Sequence, residues 1–427
     1  MHQALGAWPT ITLVARVLYM WLGMASAAGA EQTPNGSSVR SACPSSCPPL
    51  SFLSLRRAPQ ACHRRGRSRF GRASRAMDKC FTREPRFTIR RVRAWVVRRN
   101  GPPESMTFED LPNAPPPPGR LRIAVEAAGI NFFDSLLIAG TYQQKPELPF
   151  VPGAEVAGTV VDAPPGSGFA PGDRVLARLQ SDGISGGGYA DTAHPRPQDA
   201  LKIPDSMSFD VAAAFFINYE TGWFGLHRRA NIQPGEFLLV HAAAGGVGSA
   251  AVQLGKAAGA TVIASVGSPE KAEVCRKLGA DLVIEHREQD LVQAVKDFTH
   301  GHGADVVYDP VGGDAFERST KCIAFEGRLI VVGFTSGQIP QVRTNHVLIK
   351  NYSVVGLHWG LYAERRPDLI DQCADELLRL YAAGRIAPYV SRKVPLERAA
   401  EALGDVAAGR TTGKTVLMTR WNSASAS

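Results

Sequence analysis

The sequence predicts an α/β chain in which a compact, turn-rich β domain leads into a doubly wound parallel sheet. Three observations carry that prediction. Residues 237–271 spell a buried strand, a glycine turn, a helix and a second buried strand in that order. From 237 to 358, short apolar runs alternate with helical segments, six strands in all. Upstream, glycine and proline break the chain into short β-rich runs.

The first segment stands apart in charge. The 427-residue chain carries a net charge of +9, but residues 1–99 hold 18 Lys and Arg against Glu31, Asp78 and Glu84, which leaves the remainder at −6. An acidic body argues against nucleic-acid binding, which needs a basic face on the folded domain. Residues 1–91 read as a leader. Its apolar stretch, 11–30, ends in small residues like a signal-peptide core, but Arg16 interrupts it and no positive charge other than the amino terminus precedes it. Residues 51–99 are rich in Arg, Ser and Ala and nearly free of acids, which fits a mitochondrial or plastid transit peptide better. After that come a gene-model artefact ahead of a cytoplasmic protein, a secretion signal and a membrane anchor; stable membrane insertion of the body is not expected. Cys43, Cys47, Cys62 and Cys80 fall in the leader and Cys275, Cys322 and Cys373 are scattered through the body, so neither a disulfide framework nor a metal-ligand spacing is visible.

The β domain spans 92–218. Prolines 115–118 with Gly119 form a stiff turn before the strand that begins at Leu121, and Pro171, Gly172, Asp173 and the glycines 186–188 mark later turns. Helical periodicity over 209–230 leads into the parallel-sheet domain, 219–352. Its expected strands are 237–243, 261–266, 282–286, 305–309, 328–334 and 353–358. Residues 353–420 supply the last of these strands and a return toward the β domain, with a helix over 367–383 and a strand over 414–419. Residues 421–427 are a tail.

The glycine turn carries the first functional signal. Ala243, Gly245, Gly246, Val247 and Gly248 join strand to helix, and small residues there let the backbone approach a pyrophosphate while the helix aims free N–H groups at it. Ala243 stands where the usual motif has its first glycine. At the tip of the next strand, an NAD-preferring fold carries an acid for the ribose hydroxyls, about 20 residues past the glycines. Here Gly267, Ser268 and Lys271 stand there instead, which suits a 2′-phosphate and predicts NADPH; Glu270 is the one acid near enough to turn inward. Ser268, Pro269 and Glu270 also form an ordinary helix start, and both readings can hold together.

The segments 128–134 (AGINFFD), 151–158 (VPGAEVAG), 171–175 (PGDRV), 188–190 (GYA), 219–221 (YET), the turn 243–248 and 305–313 (DVVYDPVGG) follow one another along the chain. On these segments, residues 92–420 resemble the zinc-independent quinone oxidoreductase branch of the medium-chain dehydrogenase/reductase superfamily. The resemblance implies a GroES-like β domain joined to a Rossmann domain, an active site between them and a homodimer. In the alcohol dehydrogenase branch a catalytic zinc is held by Cys at the position of Asn131 and by His at that of Ala154, and neither ligand is present. The β domain also lacks the four cysteines of a structural zinc loop. Without a Lewis acid, alcohol oxidation is the poorer reading. Hydride transfer from NADPH to an electron-poor acceptor is the better one, with a quinone first and an activated alkene (enoyl, enone or haloacrylate) second. A non-catalytic NADPH-binding protein is the reading from a different class.

By the same resemblance, Asn131 and Tyr142 lie beside the nicotinamide and substrate; Asp134, grouped with them at the catalytic site, reads as orienting that segment or capping a short helix rather than transferring protons. Thr221, Gly333 and Phe334 flank the nicotinamide; Gly267, Lys271 and Arg410 surround the 2′-phosphate. His286 stands where relatives carry a tyrosine. Taken without the resemblance, Asn131 is also a turn residue at a strand end and Tyr142 a packing residue, while Lys271 and Arg410 also suit a solvated surface. Asp309 reads as structural, ending a strand where a turn is needed.

Overall fold

The structure is a computed structural model and describes residues 91–420 apart from 182, 183 and 186. The leader expectations and the tail lie outside the described residues. Residues 91–420 belong to one compact unit of the chain. The strands of its first lobe are β1 (Arg91–Val96), β2 (Thr107–Pro112), β3 (Arg122–Gly129), β4 (Glu155–Asp162), β5 (Arg174–Arg178), the short pair β6 (Gln180–Ser181) and β7 (Ile184–Ser185), β8 (Thr192–Ala193) and β9 (Ala200–Lys202). The second lobe holds β10 (Phe237–His241), β11 (Thr261–Val266), β12 (Leu282–Glu285), β13 (Ala304–Asp309), β14 (Ile323–Val331) and β15 (Ser353–Gly356); β16 (Val390–Pro395) and β17 (Lys414–Met418) follow.

The second lobe is a Rossmann sheet. Its six strands run parallel in the order β12-β11-β10-β13-β14-β15. Successive residues of β10 face opposite cores: Leu238 and Val240 pack with Val262, Ala264 and Val306, whereas Leu239 packs with Ile263, Ile284, Val307 and Leu329. Both faces of the sheet are therefore covered, which is why its strands read as continuous apolar runs rather than alternating ones.

Strand ends differ from the sequence expectation most at β14, which starts five residues before 328 and ends at Val331 instead of 334. Glu326 lies in the left-handed region at φ 58°, and the β13–β14 register shifts between Ala304 and Val306, so the early part of the strand carries no regular apolar pattern. Beyond Val331 the chain leaves the ladder, although the N–H of Val332 still donates to the Asp309 carbonyl. The helical stretch 209–230 is three pieces, Phe209–Ala212, Phe216–Trp223 and a π-helical turn Phe224–Arg229.

The first lobe is a GroES-like β domain built on the order β16-β17-β3-β4-β5-β9, with β8 on β3. Its core joins Ile123 and Val125 of β3 to Val156 and Val160 of β4, Val175 of β5 and Leu417 of β17. β17 pairs antiparallel with β3, Val416 opposite Gly129, and the Ile130 N–H donates to the Thr415 carbonyl. The chain's end thus returns to the first lobe and sets Lys414 beside Asn131. Cys275, Cys322 and Cys373 are buried and unpaired. Among the described residues no helix is long and apolar enough to cross a membrane.

Candidate active site

A cleft of about 1800 Å³ separates the lobes, walled on one side by the segment after β3 and on the other by the carboxyl ends of the Rossmann strands. Such an edge is where open parallel sheets bind ligands. Asn131, Tyr142, Thr221, Gly245, Gly246, Val247, Gly267, Lys271, His286, Gly333 and Phe334 all line it. Asp134, Ala243, Gly248, Ser268 and Arg410 do not, and each has another place.

The glycine turn is shaped by close approach. A Cβ on Gly248 would sit 2.2 Å from the Ala242 carbonyl oxygen and 2.8 Å from the Ala243 Cα, so no side chain fits there. Gly248 and the buried Ala243 hold the turn from behind, while Gly245, Gly246 and Val247 present its face to the cleft. The helix Gly246–Ala257 starts at that face, with free N–H groups of its first turn available to an anion. The residues present therefore fit a dinucleotide.

At the tip of β11, basic groups gather. Burial holds the His286 imidazole below its ordinary pKa, and the positive charges of Arg287, Arg318 and Lys271 push it the same way. These effects favour the neutral form of the ring, whose Nδ1 lies 3.2 Å from the Ser265 hydroxyl. Burial, then Arg287, also lowers the Lys271 pKa. Lys271 donates to the Gly409 carbonyl at 2.7 Å, which ties this corner to the returning chain. Arg287 faces the same corner: a Cβ on Gly267 would sit 3.4 Å from its Nε. Arg410 is turned away, its guanidinium held by Asp405 at 2.7 and 3.1 Å, while its neighbours Gly409 and Thr411 line the cleft. Ser268 is the N-cap of the helix Pro269–Lys277 and accepts from the Lys271 N–H.

The opposite wall is a buried polar cluster. Asn131 is the N-cap of the helix Phe132–Ile138, and its N–H donates to Asp134 Oδ2 at 2.9 Å. That oxygen also accepts from the Tyr189 hydroxyl at 2.8 Å. Asp134 is fully buried, and desolvation pushes its carboxyl up to about 7 despite these bonds. It orients Asn131 from behind and does not reach the cleft. The Asn131 Nδ2 donates to Glu155 Oε1 at 3.0 Å, and its Oδ1 accepts from the Lys414 ammonium at 2.6 Å. Lys414 also pairs with Glu155. Tyr142 stacks obliquely on Phe133, ring centroids 5.4 Å apart. Burial, and after it the charge of Asp134, raises the pKa of its phenol, so Tyr142 stays protonated near neutrality and is a donor. The Thr221 hydroxyl donates back to the Ile217 carbonyl of its own helix. Asp309 accepts from the N–H groups of Val311 and Gly312 at 2.8 and 3.0 Å and so fixes the turn after β13.

Sequence reasoning missed Lys414 and Arg287 and gave Glu155 no role. A lysine and a glutamate opening otherwise apolar strands were the available signal, since a buried charge needs a partner. Their separation of 259 residues kept the pairing out of view. Among the described residues no group of three or more His, Cys, Asp and Glu side chains is placed to hold a metal ion.

A β lobe and a Rossmann lobe enclosing such a cleft define a medium-chain dehydrogenase/reductase, an NAD(P)H-dependent oxidoreductase. Comparison with known proteins specifies the family. The alcohol dehydrogenase GroES-like domain matches residues 117–205 and the zinc-binding dehydrogenase family matches 246–375. A quinone oxidoreductase-like protein 2 homolog of Nematostella vectensis is 42% identical over 306 residues, 70% of this chain and 82% of that protein. A 2-haloacrylate reductase of a Burkholderia species is 32% identical, over 77% of this chain and 99% of its own. The crystal structure of Escherichia coli quinone oxidoreductase complexed with NADPH superposes with a TM-score of 0.70 at 33% identity, covering 77% of this chain and 99% of that one. The chain belongs to the quinone oxidoreductase-like family of the medium-chain dehydrogenases/reductases.

Proposed function

We propose that the protein transfers hydride from NADPH to a quinone without the help of zinc. One observation carries the reading: the glycine turn and the Asn131–Tyr142 wall face the same cleft. When bound, the cofactor supplies the hydride from its nicotinamide C4. The chain's part is to hold and to donate. The turn 243–248 and the helix behind it bind pyrophosphate, Lys271 and Arg287 address the 2′-phosphate, and Thr221, Gly333 and Phe334 bound the nicotinamide end. Asn131 and the protonated Tyr142 donate hydrogen bonds to the acceptor oxygen as charge develops on it. The donor set supports zinc-free chemistry, because the positions of the two missing ligands carry an amide already engaged by Glu155 and Lys414 and the methyl of Ala154.

Reduction of an activated alkene is the second reading, supported by the similarity to a 2-haloacrylate reductase and by Tyr142, a phenol able to protonate the carbon beside the hydride-accepting one. Anaerobic NADPH consumption with 1,2- and 1,4-quinones, conjugated enones and enoyl thioesters tests both. Turnover with quinones and none with the alkenes is the expected result; the reverse reassigns the protein as an alkene reductase, and NADPH binding without turnover on either favours a non-catalytic protein. We also assign a homodimer, for which the open edge of β15 is the support, and an organelle-targeting role to the leader, which a fusion of residues 1–91 to a fluorescent reporter tests.

A further inference from the structure

We propose that Lys414 is a positioning residue which, with Glu155, locks the Asn131 side-chain amide so that one Nδ2 hydrogen is left to point into the cleft. The inference rests on the reading of Asn131 as the donor to the acceptor oxygen and adds what holds it in that role.

Hydrogen-bond chemistry decides the orientation. A lysine ammonium only donates and a carboxylate only accepts. With Lys414 Nζ 2.6 Å from one end of the amide and Glu155 Oε1 3.0 Å from the other, the oxygen must face the lysine and the nitrogen the glutamate. Rotating the amide by half a turn would set NH₂ against the ammonium and C=O against the carboxylate, two repulsive contacts in a buried place. Glu155 is itself fixed, since its Oε2 accepts from the Ile217 N–H at 3.1 Å and its Oε1 receives Lys414. The neighbouring backbone leaves room for this, because a Cβ on Gly129 would sit 2.6 Å from Glu155 Oε1. The backbone of Asn131 is pinned by Asp134 through its N–H. One Nδ2 hydrogen is engaged by Glu155, so the second is the donor left over, on a residue that lines the cleft beside Lys414.

Energetics point the same way. A buried ion pair often does no better than well-packed apolar residues, so stability alone is a weak reason to retain one. Lys414 and Glu155 are almost wholly buried, with side chains 3% and 2% exposed. A pair at the wall of the cleft that determines which atom of Asn131 faces inward has a use that an apolar pair would not.

The test uses the full chain with 1,4-naphthoquinone as acceptor, or the acceptor that the panel above identifies. Lys414→Met alone leaves Glu155 unpaired and invites unfolding, so it is paired with Glu155→Gln, and Lys414→Arg serves as the conservative rescue. Turnover, acceptor KM, NADPH affinity by fluorescence and thermal midpoint are measured in the parent and in an Asn131→Ala background. The expected result is a fall in kcat of about 10- to 100-fold for the double variant, somewhat below the range for loss of a whole oxyanion donor. NADPH affinity stays within about twofold, Lys414→Arg recovers most of the turnover, and the double substitution has almost no further effect once Asn131 is alanine, the signature of groups that act as one unit. Equal fold-losses in both backgrounds would overturn the proposal by showing that Lys414 acts independently of Asn131. If Asn131→Ala alone leaves kcat unchanged, it is the donor reading of Asn131 that has failed, and the proposal falls with it.

Discussion

Asp134 shows what burial does to a single residue. Its carboxyl titrates near 7 in the fold, against roughly 3.9 in an unfolded chain. The folded state therefore holds a proton that the unfolded state has released between those values, so Asp134 contributes stability that is full below about pH 4 and is lost as pH rises toward 7. Asp134→Asn keeps an acceptor for Tyr189 and for the Asn131 N–H but no longer titrates. The expected outcome is a thermal midpoint that declines less between about pH 5 and pH 8 than that of the parent; an unchanged slope would contradict it. Some slope remains, because burial also raises Glu220 to about 7 against the pull of Arg178. The cofactor corner yields a second expectation. Lys271→Ala and Arg287→Ala should each weaken NADPH about tenfold or more, in keeping with a charge-assisted bond, and barely affect NADH. Arg410→Ala should do far less, because Asp405 already holds that guanidinium. Titration with both cofactors decides; a larger loss from Arg410 would mean that it swings inward on binding. Local placements, such as the turn glycines between strand and helix, Ser268 as a helix N-cap and Asn131 at a strand end, were readable in the sequence. Lys414 and Glu155 were not, because their roles exist only once distant strands meet.

At the scale of elements, the β10–turn–helix unit was the most legible part of the chain, since each piece is specified by its own residues: an apolar run, small residues, then a helix. That local specification makes the unit brittle. Gly248→Ala would bring a methyl to 2.2 Å from the Ala242 carbonyl oxygen, which only backbone movement relieves. Overpacking of this kind costs roughly 1–3 kcal/mol. The expected phenotype is a lowered thermal midpoint together with weaker NADPH binding, measured by calorimetry and fluorescence; unchanged binding would separate the turn from the cofactor. Less legible were the elements whose limits depend on neighbours. β14 begins before its apolar run because β13 offers a ladder, and it ends at Val331, opposite Asp309 at the end of β13, beyond which Thr335 and Ser336 bond to Pro310 and Val311 in the turn that follows. The π-helical turn at Phe224–Arg229 left no mark in the sequence, since its residues are compatible with an ordinary helix.

The molecule as a whole is closed by its last strand, β17, whose pairing with β3 completes one lobe and delivers Lys414 to the cleft. Periodicity announced a strand there but not its partner. The other lobe ends less completely. β15 is the outer strand of the Rossmann sheet, bonded to β14 on one side, and the helix that precedes it, Thr344–Lys350, exposes Leu348 and Ile349 at 75% and 74%. Ile339 and Val342, just upstream, are exposed as well. An open strand edge beside exposed apolar side chains is a surface that soluble proteins usually cover. A second copy meeting the first across β15 would extend the sheet and bury these residues by the same contact, since a two-fold axis presents the same patch on both sides. Light scattering of the purified protein should give a dimer at micromolar concentration. Leu348→Glu with Ile349→Glu should shift it to the monomer while leaving the fold of each copy intact, because neither side chain supports the core. A dimer that survives both charges would place the interface elsewhere, and a monomeric parent would mean that the edge of β15 stays open in solution.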